Sequence, residues 1–143
     1  MSSPLDNLVK ISRGGLKLEP PSQTEIDGLI RSAKRKLLDA QISSLGLESA
    51  FDLAYNAAHA FALAALRWHG YRSENRYLVF QALPHTLGFP AAKWRVLDMC
   101  HGKRNLAEYE GSFEVEPRLL ADLLAVTTEL EAAVVALGPV AVR

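Results

Sequence analysis

Apolar residues recur at intervals of three and four along most of the chain, which is the spacing of one face of an α-helix. The first such stretch opens at Ser22, where Glu25 three residues later predicts a capping box. The apolar stripe that follows is Ile26, Leu29, Ile30, Ala33, Leu37 and Ala40. Residues 47–69 are apolar nearly all round, which predicts a central helix packed on several sides and ended by Gly70.

The second half of the chain carries three further helical patterns. A short helix is predicted to begin at Ser73 and to end or kink at Pro84, because proline removes a backbone donor. Residues 90–111 form the next helix, with an apolar first half and a polar second half. A last helix begins near Pro117, and regularly spaced leucines form its core face.

These patterns predict an all-α domain. No segment alternates apolar and polar residues over a sustained length, so an up-down bundle of four to five helices is expected over residues 22–143. Residues 1–21 are predicted to form an irregular N-terminal arm, because glycine and proline pairs break regular structure there. The sequence leaves open whether this arm packs on its own domain or on a neighbouring subunit.

Composition narrows the classes of function. The 16 Lys and Arg balance the 16 Asp and Glu, so no broad basic field favours sequence-independent nucleic-acid binding, although a local basic cleft stays open. The single cysteine, Cys100, lies among apolar residues and is expected to be a small core residue in a reducing cytoplasm. The start of the chain lacks a signal-peptide pattern, and residues 57–66, the most apolar window, are too few to span a membrane.

Three polar residues interrupt the apolar central helix. Asp52, Asn56 and His59 are four and three residues apart, so they share one face of it. Polar groups in a buried helix cost free energy unless they are hydrogen-bonded. These three residues therefore either form internal hydrogen bonds or line a ligand-binding cleft, and both interpretations stay open.

The polar half of residues 90–111 carries the strongest chemical signal. Arg104 is permanently cationic and can contact a phosphate through two donors, Asn105 adds an amide, and Tyr109 lies one turn beyond Asn105. Such groups can hold a phosphodiester and stabilise charge at phosphorus. The competing interpretation is an ordinary helix end with a surface pair between Arg104 and Glu108. The histidines show no metal-ligand spacing and no phosphate-binding glycine loop occurs, so neither a metal nor a cofactor is expected.

The helical pattern and the segment KRNLAEYEG together resemble the HEPN family of small helical proteins associated with nucleotides or RNA. The resemblance spans residues 22–137 and includes the alanine-rich central helix FDLAYNAAHAFALAALRWHG. The signature of that family is an arginine followed by a polar residue, with a histidine that comes four to six intervening residues after the arginine. Arg104 and Asn105 match its opening, four residues lie between Arg104 and Tyr109, and Tyr109 stands in the position of the histidine.

The resemblance implies a homodimer in which two signature helices face each other across a cleft. In the ribonuclease members of the family, the arginine stabilises charge, the histidine moves the proton, and no metal is needed. Other members are toxins paired with a nucleotidyltransferase antitoxin, or non-catalytic binding modules. These known roles give three alternatives for this chain: an RNA or nucleotide binder, an endoribonuclease of the toxin type, and a partner-binding helical module.

The tyrosine at the signature position bears on catalysis. A phenol with a pKa of about 10 is a poor general base at neutral pH, so the resemblance implies weak catalysis or none. Binding through Arg104, Asn105 and Tyr109 is then the expected role of the segment. In the endoribonuclease alternative, Arg104 stabilises the charge, and either Tyr109 or His101, one turn before Arg104, is the proton-transfer group.

Overall fold

The computed structural model describes residues 15–111 and 114–140 together with Leu5 and Asn7, and shows the side chains of all of these except residues 108–110. Residues 15–140, where described, form six helices and one two-stranded sheet. In chain order the elements are β1 (Lys17–Leu18), α1 (Gln23–Asp39), α2 (Leu47–Trp68), β2 (Tyr71–Arg72), α3 (Arg76–Gln81), α4 (Leu83–Thr86), α5 (Ala91–Glu110) and α6 (Pro117–Ala136).

Helix α2 is the centre of the fold. It packs against α1 and α6 and also contacts each of the other three described helices. Phe51 and Phe61 are completely buried, and the alanines between them are almost as inaccessible, which lets neighbouring helices approach closely. The predicted all-α bundle with a central helix over residues 47–69 is therefore confirmed.

Helix α1 begins where the sequence predicts, but its capping box is only half formed. The Ser22 side chain accepts a hydrogen bond from the Glu25 backbone N–H at 3.3 Å. The Glu25 carboxylate contacts the guanidinium groups of Arg67 and Arg72 instead of turning back to the helix start. An ion pair with residues distant in sequence thus replaces the expected local hydrogen bond.

Helix α3 begins three residues later than predicted, at Arg76 rather than near Ser73. The Asn75 side chain caps it by accepting from the Leu78 N–H at 3.3 Å, while the Ser73 hydroxyl accepts from the Asn75 N–H. The delay has a tertiary cause, because Tyr71–Arg72 pairs with Lys17–Leu18 as an antiparallel ladder and keeps the chain extended. Pro84 lies in the first turn of α4, so a break between two helical segments occurs there as expected.

The described part of the N-terminal arm packs on its own chain. Leu16 is buried in the core, and β1 pairs with β2 immediately after α2. The rest of the predicted arm, apart from Leu5 and Asn7, lies outside the described residues. Residues 15–21 therefore contact their own domain.

A buried guanidinium holds this end of the molecule together. Arg67 is 1% exposed, and its Nε donates to a Glu25 carboxylate oxygen at 2.5 Å. Its two terminal nitrogens donate to the backbone carbonyls of Glu19, Tyr71 and Pro20 at 3.0, 3.2 and 2.8 Å. The same side chain therefore links α2 to α1, to the arm and to β2.

Replacing Arg67 with lysine should destabilise the fold strongly. An ammonium group keeps the charge but cannot reproduce the planar fork, so at least one buried carbonyl loses its donor. We expect the free energy of unfolding to fall by about 2 kcal/mol or more, measured by urea denaturation. The matched control is Arg72→Lys, whose partly exposed ion pairs should contribute less than about 1 kcal/mol. Equal midpoints for wild type and Arg67→Lys would contradict this role.

The same network predicts a loss of stability in acid. The hydrogen bond from Arg67 holds the pKa of Glu25 below its ordinary value of 4.5, with burial acting in the opposite direction. A carboxyl whose pKa is lowered by folding contributes stability that is complete above pH 4.5 and is lost as the pH falls through the lower folded-state value. The urea midpoint of the wild type should therefore fall more steeply below pH 4.5 than that of Glu25→Gln. If the urea midpoints of the two proteins fell in parallel with pH, the ion pair of Glu25 would not be the cause of the loss of stability.

Candidate functional site

Side chains from α2, α3 and α5 meet around the buried ring of Tyr55. The guanidinium carbon of Arg104 lies 4.9 Å from the centre of this ring, and that of Arg76 lies 5.5 Å from it. Both distances are within the range of a cation–π contact. The structure thus places two permanent cations beside one aromatic side chain.

The helices account for this convergence. On α5, Leu97 and Cys100 are fully buried, which turns His101 and Arg104 toward α2 because these positions lie one turn further along the same side. On α2, the face that carries Asp52 and Asn56 includes Tyr55 at its buried edge. The two polar segments identified in the sequence therefore lie on facing helices and form one site.

Each arginine has a partner on α2. The Nε atom of Arg104 is 3.7 Å from an Asp52 carboxylate oxygen, and Arg76 donates to the Asn56 side-chain carbonyl at 3.0 Å. Asp52 is more than half exposed, so water screens this ion pair. Among the described side chains, no other carboxylate forms an ion pair with either arginine; the side chain of Glu108, the alternative partner of Arg104, lies outside them. The described site is therefore positively charged.

His101 is held by both of its ring nitrogens. Its Nδ1 lies 2.9 Å from the Tyr55 hydroxyl, and its Nε2 lies 3.1 Å from the Asn105 side-chain amide nitrogen. Because an amide N–H only donates, Nε2 accepts, and the neutral ring carries its proton on Nδ1 and donates it to the Tyr55 oxygen. Burial raises the pKa of Tyr55, although the two arginines oppose this, so the phenol stays protonated at neutral pH.

The pKa of His59 is lowered by burial and by the positive charge of the site. Burial, the larger cause, lowers it from 6.5 to about 4, and the charges of Arg76, Arg104 and Lys36 act in the same direction, as does His101 when it is protonated. The His59 ring packs edge-on against Phe80, with the ring centres 6.1 Å apart. His59 is therefore neutral at pH 7 and lies beside the cations as a partly buried residue of the bundle.

The structure brings together most of the residues selected from the sequence: Asp52, Asn56, His59, His101, Arg104 and Asn105. Tyr109 belongs to α5, but its side chain lies outside the described residues, so its predicted contact stays a prediction. Arg76 was missed. In the sequence, Arg76 is the single charged residue of a short helix and lies at its start. That pattern does not show that the helix packs beside Tyr55.

No protein-family model matches the chain, and neither a curated protein nor a solved structure matches it. Within the described residues, no three histidine, cysteine, aspartate or glutamate side chains are grouped to hold a metal ion. In the same part of the chain, every helix is either too short or too polar to cross a membrane. Cys100 is buried as expected, and burial raises its pKa to about 12, so its thiol is inert. The cluster around Tyr55 is therefore the candidate functional site of the described structure.

Removing one cation should change the titration of His59. The variant Arg104→Ala is expected to raise the pKa of His59 from about 4 toward 6.5, because a nearby positive charge disfavours imidazolium. NMR titration of the His59 ring protons would measure the change. Lys103→Ala is the matched control, since Lys103 is the exposed neighbour of Arg104 and borders a groove between α5 and α6. If the pKa of His59 were the same in Arg104→Ala and Lys103→Ala, the charge of Arg104 would not act on His59.

Proposed function

We propose that the cluster around Tyr55 binds phosphate groups of RNA or of a nucleotide. The proposal is based on Arg76 and Arg104, whose guanidinium groups both lie within 5.5 Å of the centre of the Tyr55 ring. Among the described side chains, a single carboxylate, the exposed one of Asp52, forms an ion pair with either of them. Two cations held close together repel each other, and a bridging anion relieves that repulsion. Guanidinium groups fit phosphate oxygens through paired N–H donors, and Asn105 offers an amide beside them.

The resemblance to the HEPN family supports the same ligand class. Arg104 and Asn105, which match the opening of the family signature, both belong to the cluster, and His101 connects Asn105 to Tyr55. The family would add a homodimer with two facing signature helices. On α5, Met99 and Leu106 are more than half exposed and lie seven residues apart on one side of the helix, and a second copy would cover these two side chains.

Binding is favoured over cleavage. The signature position carries Tyr109, whose phenol is a poor general base, and both nitrogens of His101 are engaged in hydrogen bonds. One observation favours the endoribonuclease of the toxin type as the second candidate: His101 and Arg104 contact the same Tyr55 ring. A proton-transfer group and a charge stabiliser would then share one site. A nucleotidyltransferase antitoxin belongs to that second candidate, and a partner-binding module without nucleic acid is the third.

Binding of RNA should depend on the two arginines. We expect Arg104→Ala and Arg76→Ala each to weaken binding of a labelled single-stranded RNA by about tenfold, since each removes charge-assisted hydrogen bonds to phosphate. Fluorescence anisotropy at two salt concentrations would measure the affinity, and the salt dependence should be shallower in both variants. Lys103→Ala should bind nearly as wild type does. Equal affinity in all four proteins, or no binding by any, would reject the proposal.

Cleavage should be weak or absent. Wild-type protein incubated with RNA in EDTA is expected to leave the RNA intact, because no good general base is available at the signature position. Products separated on a denaturing gel are the readout. If fragments form and disappear with both Arg104→Ala and His101→Ala, the endoribonuclease becomes the correct function.

A further inference from the structure

Two aromatic side chains lie at the surface next to the arginine cluster. Tyr77 on α3 is 40% exposed, and Trp94 on α5 is half-buried. Their ring centres are 5.9 Å apart and the rings are nearly perpendicular, an ordinary edge-to-face pair. Burial in the core does not account for a tyrosine that remains this exposed.

The pair is continuous with the cluster. The centre of the Tyr77 ring lies 6.0 Å from that of His101, which in turn lies 6.4 Å from that of Tyr55. Rings from three helices thus form a row that leads from the surface at Trp94 to the position of Arg104. Tyr77 also follows Arg76 directly in the chain, in the first turn of α3.

A shallow cavity adjoins Trp94. It has a volume of about 310 Å³ and is lined in the described part by Ala91, Trp94, Arg95 and Asp98, which occupy one face of α5 over two turns. The volume is at the lower end of the range for small-molecule sites. Arg95 supplies donors and Asp98 supplies acceptors, the two kinds of group that recognise the edge of a nucleobase.

Exposed rings next to cations match one class of ligand. Single-stranded nucleic acids combine a negatively charged backbone with bases whose faces stack on aromatic side chains. A paired base is already stacked between its neighbours, so only an unpaired base can lie on a protein ring. Two arginines with partly exposed rings beside them therefore fit a phosphate with an unpaired base attached.

We propose that Tyr77 and Trp94 form a stacking platform for an unpaired nucleobase whose phosphate lies between Arg76 and Arg104. This inference rests on the proposed function and adds to it the part of the ligand that the protein distinguishes. The arginines bind any phosphate, whereas the platform selects nucleotides and single-stranded RNA over sugar phosphates and duplex RNA.

The test uses Trp94 as its own reporter. Trp68 is the second tryptophan of the chain and bonds to the Gly138 carbonyl, and Trp68→Phe leaves Trp94 as the single indole. Titration of this protein with AMP, and separately with a short single-stranded RNA, should quench Trp94 fluorescence because a base lies close to the ring. Ribose 5-phosphate carries the same phosphate without a base and should bind on the order of tenfold more weakly than AMP. Duplex RNA should leave the fluorescence nearly unchanged.

Variants separate the platform from the phosphate site. Tyr77→Ala should weaken binding of AMP and of single-stranded RNA on the order of tenfold and leave the affinity for ribose 5-phosphate unchanged. Tyr77→Phe keeps the ring and should restore binding. Arg104→Ala should weaken the binding of all three ligands.

Three results would overturn the platform. In the first, Tyr77→Ala binds AMP as tightly as the wild type does, while Arg104→Ala does not bind it. That result would support the phosphate site but not the platform. The second is equal affinity of the wild type for AMP and ribose 5-phosphate. The third is a change of oligomeric state in Tyr77→Ala, measured by sedimentation, with unchanged base discrimination, which would assign the rings to a protein contact. Wild-type affinity of Arg104→Ala for every ligand would instead reject the proposed function itself.

Discussion

The hydrogen bonds and ion pair of the buried Arg67 guanidinium hold four segments of the chain in one arrangement. The guanidinium lies at the end of the central helix and satisfies the Glu25 carboxylate and three backbone carbonyls at once. A buried cation is tolerated only when its donors are paired, so the segments that supply those acceptors must dock in one arrangement. The arm, α1 and β2 are thereby fixed relative to α2, and the extended β2 in turn sets where α3 begins.

The same helix carries the candidate site some three turns away. Tyr55 precedes Arg67 by twelve residues, which is about 18 Å along a helix. One part of α2 is therefore fixed to its neighbours by ion pairs, while another presents polar side chains to α3 and α5. Alanines occupy much of the intervening length and are almost completely buried, and Arg76 from α3 and Arg104 from α5 reach the same ring.

Arginine has two different uses in this molecule. Arg67 is buried and forms an ion pair with the Glu25 carboxylate, so its interactions stabilise the fold. Arg76 and Arg104 are less buried, stack on Tyr55, and have one exposed carboxylate near them in the described structure. Their charge remains available, and it acts on the titration of His59 together with Lys36. The charge of Arg67 is compensated within the fold, which suits a structural role. The charge of Arg76 and Arg104 is compensated only in part, which suits the proposed role in ligand binding.

Local signals in the sequence predicted the long helices, but not the β1–β2 ladder or the exact start of α3. Helical periodicity located the central helix, the start of α1 at Ser22 and the break at Pro84, because spacing, capping and proline act within a few residues. It also selected Asp52 as a polar residue of a buried helix, and His101 and Arg104 from the polar half of residues 90–111. Helix packing brings these residues into one site, adds Arg76 to it and turns Glu25 from its own helix end to Arg67. The physical reason is distance: these contacts join residues 20 to 52 positions apart, and their geometry depends on how whole helices pack.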